Sequence, residues 1–397
     1  MTCAACPMDA HVLSVESCDC CDVTRLGGPL VSLPIPSAMP APSHTRRTLA
    51  ISMGDPGGIG PEVTIKALAD PARRARARFR VYGSSSAMLD AARGAGIEPF
   101  WVRVARETAP SLPHVLGPGG PDVVLVDSDG TGDDLSATPP THERRASAAG
   151  GELSFQWVED AIADARRSAS DPLRADAIVT APISKEAWAL AGHAEFPGHT
   201  ELLAARFNAP RAAMMFEAGV LRVVLVTTHI PLAEVPGAIT AERVLETIQL
   251  GHDACVRLGV ARPRIAVCGL NPHAGEAGLL GHDEGRAITP AIERACASGL
   301  DCAGPFPGDT VFNAAIKKRY DLVVAMYHDQ GLIPVKLLAF DSAVNVTLGL
   351  PTVRTSPDHG TAYDIAGQGR ADPGSMGAAI DLAVRLCAGA DPAPGAR

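Results

Sequence analysis

From position 48 to about 350 the chain repeats one pattern. A run of apolar, β-branched-rich positions reaches a turn marked by Gly, Pro or polar residues, and apolar positions spaced three and four apart follow. The continuous runs lie at 48–54, 78–83, 122–127, 177–183, 221–229, 264–270, 321–328 and 343–350. Helical spacing fills most of the intervals, as in PEVTIKALAD, ELSFQWVEDAIADARR, AERVLETIQLGHDACVRLG, ITPAIERACASG and SMGAAIDLAVRLCAG. Strands that alternate with helices of this length predict parallel β-α-β units with helices on both faces of the sheet, an α/β fold. The stretch 128–151, heavy in Gly, Asp, Pro and Ser, predicts a linker or mobile loop. Residues 1–45 carry no amphipathic period and predict a disordered extension.

Ligands of open α/β sheets bind beyond the carboxyl ends of the strands, so the residues that end each run carry the interest. Run 48–54 ends in GDPGGIGPE, 177–183 in Ser184-Lys185, 221–229 in Thr227-Thr228-His229, 264–270 in NPHAGE, and 321–328 in His328-Asp329-Gln330-Gly331. Polar, reactive side chains are expected at one edge of the sheet. Gly331 is expected to permit a sharp return into the segment that carries Lys336.

Composition narrows the classes of function. The chain has 397 residues, 46% of them hydrophobic, and a formal charge of −9. It is long enough for a large core, and it lacks the basic blocks with interleaved aromatics that track a phosphodiester backbone. No run reaches the roughly 18 apolar residues of a membrane span, and the N-terminus lacks the charged and apolar regions of a secretory leader. A cytoplasmic protein binding neither nucleic acid nor membrane is expected. Cys3, Cys6, Cys18, Cys20 and Cys21 crowd the first residues, where thiolate spacing would suit zinc, but the absence of helical or strand periodicity there favours no metal role. Met39 lies just ahead of the first strand, so an upstream start is the other reading of this segment.

Three histidines, His199, His229 and His328, stand in Gly- or Pro-marked turns of separate elements. A single histidine at a strand end is commonly a hydrogen-bonded loop residue. Three of them suit convergence on one divalent ion, for which neutral imidazole is a common ligand. His273 is a fourth candidate, and Asp329 or Glu201 would orient a ligand ring. Lys185, Lys336, Asn345 and Arg354 have apolar flanks; they form either separate surface charges or a clamp for phosphate and carboxylate. The loop 54–62 is not GxGxxG and has no P-loop lysine, so by itself it supports a tight turn with close backbone approach. In the segment 355–373, His359-Gly360-Thr361-Ala362 and then Asp364-Ile365-Ala366-Gly367 resemble the cofactor loop of isocitrate and isopropylmalate dehydrogenases, which bind a nicotinamide nucleotide without the Rossmann fingerprint.

With GDPGGIGPE, PGHTELLA, TTHIPL, CGLNPHAGE, GPFPGDTVF, AMYHDQGLIPVK and NVTLGLPTVRTSPDHGTAYDIAG, the chain from about 48 to 387 resembles the 4-hydroxythreonine-4-phosphate dehydrogenases of vitamin B6 synthesis. The resemblance implies an isocitrate/isopropylmalate dehydrogenase-like fold of two α/β/α domains around a cleft, here 46–178 plus 337–397 and 179–336. It implies NAD, or NADP, and one divalent metal ion (Zn, Mg or Co) on His199, His229 and His328. Substrate contacts would fall to Ser184, Lys185, Lys336, Asn345 and Arg354, cofactor contacts to His359, Gly360, Thr361 and Asp364, and catalytic roles to Lys185, Asp309 and Asp329. A homodimer with a shared active site and a phosphorylated hydroxy-acid substrate are implied as well. Ser184-Lys185 departs from the His-Lys of the biosynthetic enzymes and leans toward a related branch acting on 4-phospho-D-threonate or 4-phospho-D-erythronate. Outside these dehydrogenases, a phosphate acyltransferase-like enzyme or a binding protein of similar fold would need neither the three histidines nor HGTAYDIAG.

Overall fold

Twelve strands form one sheet in the computed structural model, which describes residues 46–130 and 142–389. They are β1 Thr48–Ser52, β2 Arg78–Gly83, β3 Val102–Ala105, β4 Val123–Asp127, β5 Ala177–Thr180, β6 Ala213–Ala218, β7 Leu221–Leu225, β8 Ile265–Cys268, β9 Cys302–Phe306, β10 Leu322–Ala325, β11 Val344–Leu348 and β12 Val353–Pro357. Their order across the sheet is β3-β4-β2-β1-β5-β12-β11-β6-β7-β10-β8-β9. The cysteines of the first 21 residues and positions 131–141 of the expected loop lie outside the described residues; Ala148–Ala165, at the end of that stretch, is already helix.

The expected α/β class is present, but the sheet is mixed rather than parallel throughout. A first block, from β3 to β12, is parallel, and so is a second block of β7, β10, β8 and β9. Between them β11 runs antiparallel to β12 and β6, and β6 runs antiparallel to β7. The sense of the strands therefore reverses across this seam, and the carboxyl ends of the two blocks point opposite ways. The single carboxyl edge expected from the sequence does not exist; Lys185, His229 and His328 of the residues expected along it meet over one face of the seam, and His273 does not join them. The lack of β-branched residues in AMMFEA and the polar residues interrupting VRTSP hid β6 and β12 from the pattern.

Period two fixes which seam residues share that face. Register pairs Asn345 with Ser356 and Phe216, and it places Thr347 opposite Met214. The helix Gly374–Ala388 covers the other face, where the Thr355 hydroxyl donates to the Ala379 carbonyl at 2.8 Å. The helix His328–Ala339 packs on the second block beside the site, through Leu332 and Val335 against Val223, Leu225 and Phe216. Gly331 lies inside this helix, so it makes no sharp return. Its function is close approach: a Cβ there would stand 2.5 Å from Leu225 Cδ2 and 2.9 Å from Val223 Cγ1.

Candidate active site

A cavity of about 270 Å³ opens on the seam, lined by β5, β6, β11 and β12 and by the loops that follow β5, β7, β10 and β12. It gathers His199, His229, His328, Lys185, Asn345, Arg354, His359 and Gly360 with Glu201, Thr180 and Ser356. Residues far apart in sequence meet there because the last two strands insert between β5 and β6.

Arg354 dominates the electrostatics. It is 2% exposed, and among the described residues its guanidinium donates only to hydroxyls, Nη1 to Thr347 Oγ1 at 2.9 Å and Nη2 to Thr180 Oγ1 at 2.7 Å. Its Nε has no hydrogen-bond partner. Burial pulls its pKa down to about 10, with Glu201 the opposing influence. A buried guanidinium held by neutral groups keeps a positive field in the cavity that an oxyanion would satisfy. Asn345 stands alongside, its Oδ1 buried and without a partner.

The histidines differ from one another. His199 opens the helix His199–Arg206, lies edge-on to Trp188 with ring centroids 5.5 Å apart, and leaves Nε2 buried and without a partner. Burial first, then Arg354 and Lys185, push its pKa well below the usual imidazole value. His229 is pushed the same way by burial and Lys185. Both shifts favour the neutral ring, the form in which one nitrogen carries a free lone pair. The rings of His229 and His328 lie 5.5 Å apart, and His328 Nδ1 is 2.7 Å from Asp329 Oδ1. Among the described residues no three His, Cys, Asp or Glu side chains form a ready-made metal-binding group. The donor set nevertheless fits a divalent ion: neutral imidazoles, one with an unpartnered buried nitrogen, share a cavity with Glu201.

Other residues singled out in the sequence lie elsewhere. Ser184 caps the helix Lys185–Leu190 by accepting from Ala187 N at 3.1 Å and is not part of the cavity lining. Lys336 donates to the Asp358 carbonyl at 2.6 Å and pairs with its carboxylate at 2.7 Å, tying the helix His328–Ala339 to the residue before His359. Asp309 is exposed in the first turn of the helix Gly308–Ile316 beyond edge strand β9, and Asp329 is exposed on the helix His328–Ala339. His273 is exposed at positive φ in a left-handed turn at the end of β8.

The two glycine-rich segments meet. Ile59 N donates to the Thr361 carbonyl at 2.8 Å, and the Tyr363 hydroxyl donates to Asp55 Oδ2 at 2.7 Å. Gly54 has φ +76° and sits where a Cβ would fall 2.3 Å from the Pro182 carbonyl, so loop 54–60 packs against the chain leaving β5. His359 has its pKa lowered chiefly by burial and leaves Nε2 unpartnered, Gly360 is open, and Asp364 is exposed. On the far side of Gly58 a second cavity of about 270 Å³ is lined by Asp90, His142, Arg144 and Gly367. Thr180, Thr347 and the Asp55–Tyr363 contact escaped sequence reading. The threonines matter only through the register of β5, β12 and β11, whereas Asp55 and Tyr363 were visible inside their motifs.

Residues 105–383 match the family described as pyridoxal phosphate biosynthetic protein PdxA. A 4-hydroxythreonine-4-phosphate dehydrogenase from Geobacter metallireducens is 47% identical over 343 residues, 86% of this chain and 96% of its own. A D-threonate 4-phosphate dehydrogenase from Cupriavidus necator is 45% identical, over 83% of this chain and 93% of its own. The crystal structure of a 4-hydroxythreonine-4-phosphate dehydrogenase from Klebsiella pneumoniae superposes with a TM-score of 0.70 at 39% identity, covering 87% of this chain and 99% of that one.

Proposed function

The chain belongs to the PdxA family and is a dehydrogenase, and from that premise we propose that it oxidises 4-phosphohydroxy-L-threonine to 2-amino-3-oxo-4-phosphooxybutanoate, which decarboxylates to 3-amino-2-oxopropyl phosphate. The observation that carries this reading is Arg354, a buried guanidinium without a carboxylate partner at the floor of a cavity that also holds three histidines and a lysine. It supports a substrate with a phosphate or carboxylate end, and Asn345 Oδ1 supports a donor on that substrate.

His199, His229 and His328 would hold the divalent ion, which when bound supplies Lewis-acid polarisation of the substrate oxygen. The nicotinamide nucleotide, NAD in this reading, supplies the hydride acceptor. Lys185, at the start of its helix and lining the cavity, would take the hydroxyl proton on Nζ as the free amine. His359 and Gly360 line the same cavity, and the segment runs on through Thr361 to Gly367 at the second cavity. That path supports an extended dinucleotide with one end in each cavity. Asp329 beside His328 would fix that ring, and Lys336 would hold Asp358 and so aim His359.

A cytoplasmic homodimer with a shared site is part of the reading. Ile333, Leu337 and Phe340 expose an apolar stripe at helical spacing on the helix that begins with His328, and Leu337 is 83% exposed. Asp309 would act across that interface. Among the described residues no helix is long and apolar enough to cross a membrane. The two parallel blocks of the sheet support division into a domain of 46–178 plus 337–397 and one of 179–336.

The second reading, oxidation of 4-phospho-D-threonate or 4-phospho-D-erythronate, is favoured by Ser184 and by relatives named as D-threonate 4-phosphate dehydrogenases. NAD reduction by the zinc-loaded protein, with 4-phosphohydroxy-L-threonine and 4-phospho-D-threonate side by side, decides between them. A higher kcat/KM for the first supports the biosynthetic reading, and a higher value for the second replaces it. Reduction with neither overturns both.

A further inference from the structure

His229 and His328 follow different strands, β7 and β10, yet their rings lie 5.5 Å apart in an exposed part of the cavity. Loop residues of this kind need something rigid beneath them, and the ladder between β7 and β10 ends at Leu225 and Ala325. Beyond the ladder Val226 N donates to the Ala325 carbonyl at 2.9 Å, and the next contacts converge on Met326. Its carbonyl accepts from Thr227 twice, from the backbone N at 3.1 Å and from Oγ1 at 2.8 Å. Its N–H donates to Gln330 Oε1 at 2.6 Å, and Gln330 Nε2 donates in turn to the Gly269 carbonyl at the end of β8 at 2.8 Å. Thr227 is fully buried and precedes His229 by two residues. Gln330 follows His328 by two residues, in the first turn of a helix whose N-cap Tyr327 supplies no side-chain cap.

We propose that Thr227 and Gln330 are positioning residues, a hydrogen-bonded brace through Met326 that sets the spacing of His229 and His328. The proposal rests on the reading that these histidines hold the divalent ion. Gln330 is suited to this because one amide both accepts and donates, so it can join an N–H of one strand end to a carbonyl of the next. Glu in its place would put an acceptor against the Gly269 carbonyl, and Ala would leave both backbone groups without their partner. A Cβ at Gly308 would stand 3.1 Å from Gln330 Nε2, so the neighbouring helix start also leaves room for this amide. Thr227 works from the other side: its hydroxyl adds a second bond to a carbonyl that the backbone already engages.

The experiment is a zinc titration of the full-length, metal-stripped protein by calorimetry, with thermal unfolding of the metal-free forms alongside. Gln330→Ala and Thr227→Val are expected to weaken zinc binding about 10- to 100-fold, as loss of groups that orient ligands does. Thr227→Ser, which keeps the hydroxyl, is expected to bind zinc as the parent protein does. His328→Ala is expected to lose high-affinity zinc binding altogether. Parent-like zinc affinity in both Gln330→Ala and Thr227→Val, with His328→Ala defective, overturns the brace and leaves the metal reading standing. Parent-like affinity in His328→Ala overturns the metal reading and the brace with it. Should Gln330→Ala fail to fold, the contrast of Thr227→Val with Thr227→Ser carries the test: equal affinities overturn the proposal.

Discussion

Arg80 and Arg354 are both 2% exposed, both on interior strands of the same sheet, and their surroundings are opposite. Arg80 donates to Asp164, to the Leu173 carbonyl at 2.8 Å and to the Leu116 carbonyl at 3.0 Å, and Asp164 also takes the Tyr82 hydroxyl and Arg167. Burial pulls the Arg80 guanidinium down, but Tyr82 and Asp164 outweigh it and hold its pKa above the ordinary value. Arg354 has two threonine hydroxyls and a pKa pulled down to about 10. A buried charge that the fold neutralises is structural. One that the fold leaves positive beside a cavity is a site for an anion from outside.

The largest effect should come from breaking the neutralised member. Arg80→Met takes from Asp164 its most buried cationic partner, leaving Tyr82 and Arg167, and deprives the Leu173 and Leu116 carbonyls of their donor; it is expected to lower unfolding stability by about 3–5 kcal/mol, read by chemical denaturation, with little change in kcat/KM of the folded fraction. Arg354→Met should do the reverse: loss of a buried charge contact to substrate costs about 2–5 kcal/mol in transition-state binding, roughly 30- to 4,000-fold in kcat/KM. Its melting temperature should hold or rise, since no carboxylate is left behind. A destabilised Arg354→Met with normal activity would erase the distinction.

A ligand sharpens the same contrast. Inorganic phosphate at about 100 times its Kd should stabilise the parent protein by about 2.7 kcal/mol, and Arg354→Met should show only the general salting effect. Equal shifts in the two proteins would place the anion elsewhere. The smallest effect is expected at the contact between glycine segments. Tyr363→Phe removes one hydroxyl from Asp55, whose pKa burial already raises, and should weaken NAD about 5-fold, near 1 kcal/mol, with the KM for the phosphorylated acid unchanged. An unchanged KM for NAD would detach this contact from the cofactor.

How much of this was legible in the sequence depends on the range of the interaction. Strands β1, β2, β4, β5, β7, β8, β10 and β11 announced themselves because apolar runs report burial on both faces. β12 did not, since its alternate residues Arg354 and Ser356 turn polar side chains toward the cavity, and β6 did not because AMMFEA has no β-branched residue, although its cavity-facing Met214 and Phe216 are apolar. The grouping of His199, His229 and His328 with Lys185, Asn345 and Arg354 followed from motifs, and all of them line one cavity. The surroundings of Arg354 could not be read from its neighbours in sequence: they depend on Thr180, 174 residues away, which takes a guanidinium N–H that a carboxylate would otherwise take. Gly331 misled for a related reason, because glycine serves turns and close helix packing alike.

The position of β11 and β12 has a consequence for how the protein is made. They occupy the middle of the sheet, between β5 and β6, yet they lie within the last 54 residues of the 397. Emerging from the ribosome, the chain therefore makes β1 to β10 before the two strands that join them into one sheet. Until that moment β5 and β6 present open, apolar edges, the kind that capture strands from other molecules. A message cut short by an eighth of its length would lack β12 and the helix Gly374–Ala388, and with them Arg354 and the cover over the face of the seam opposite the cavity.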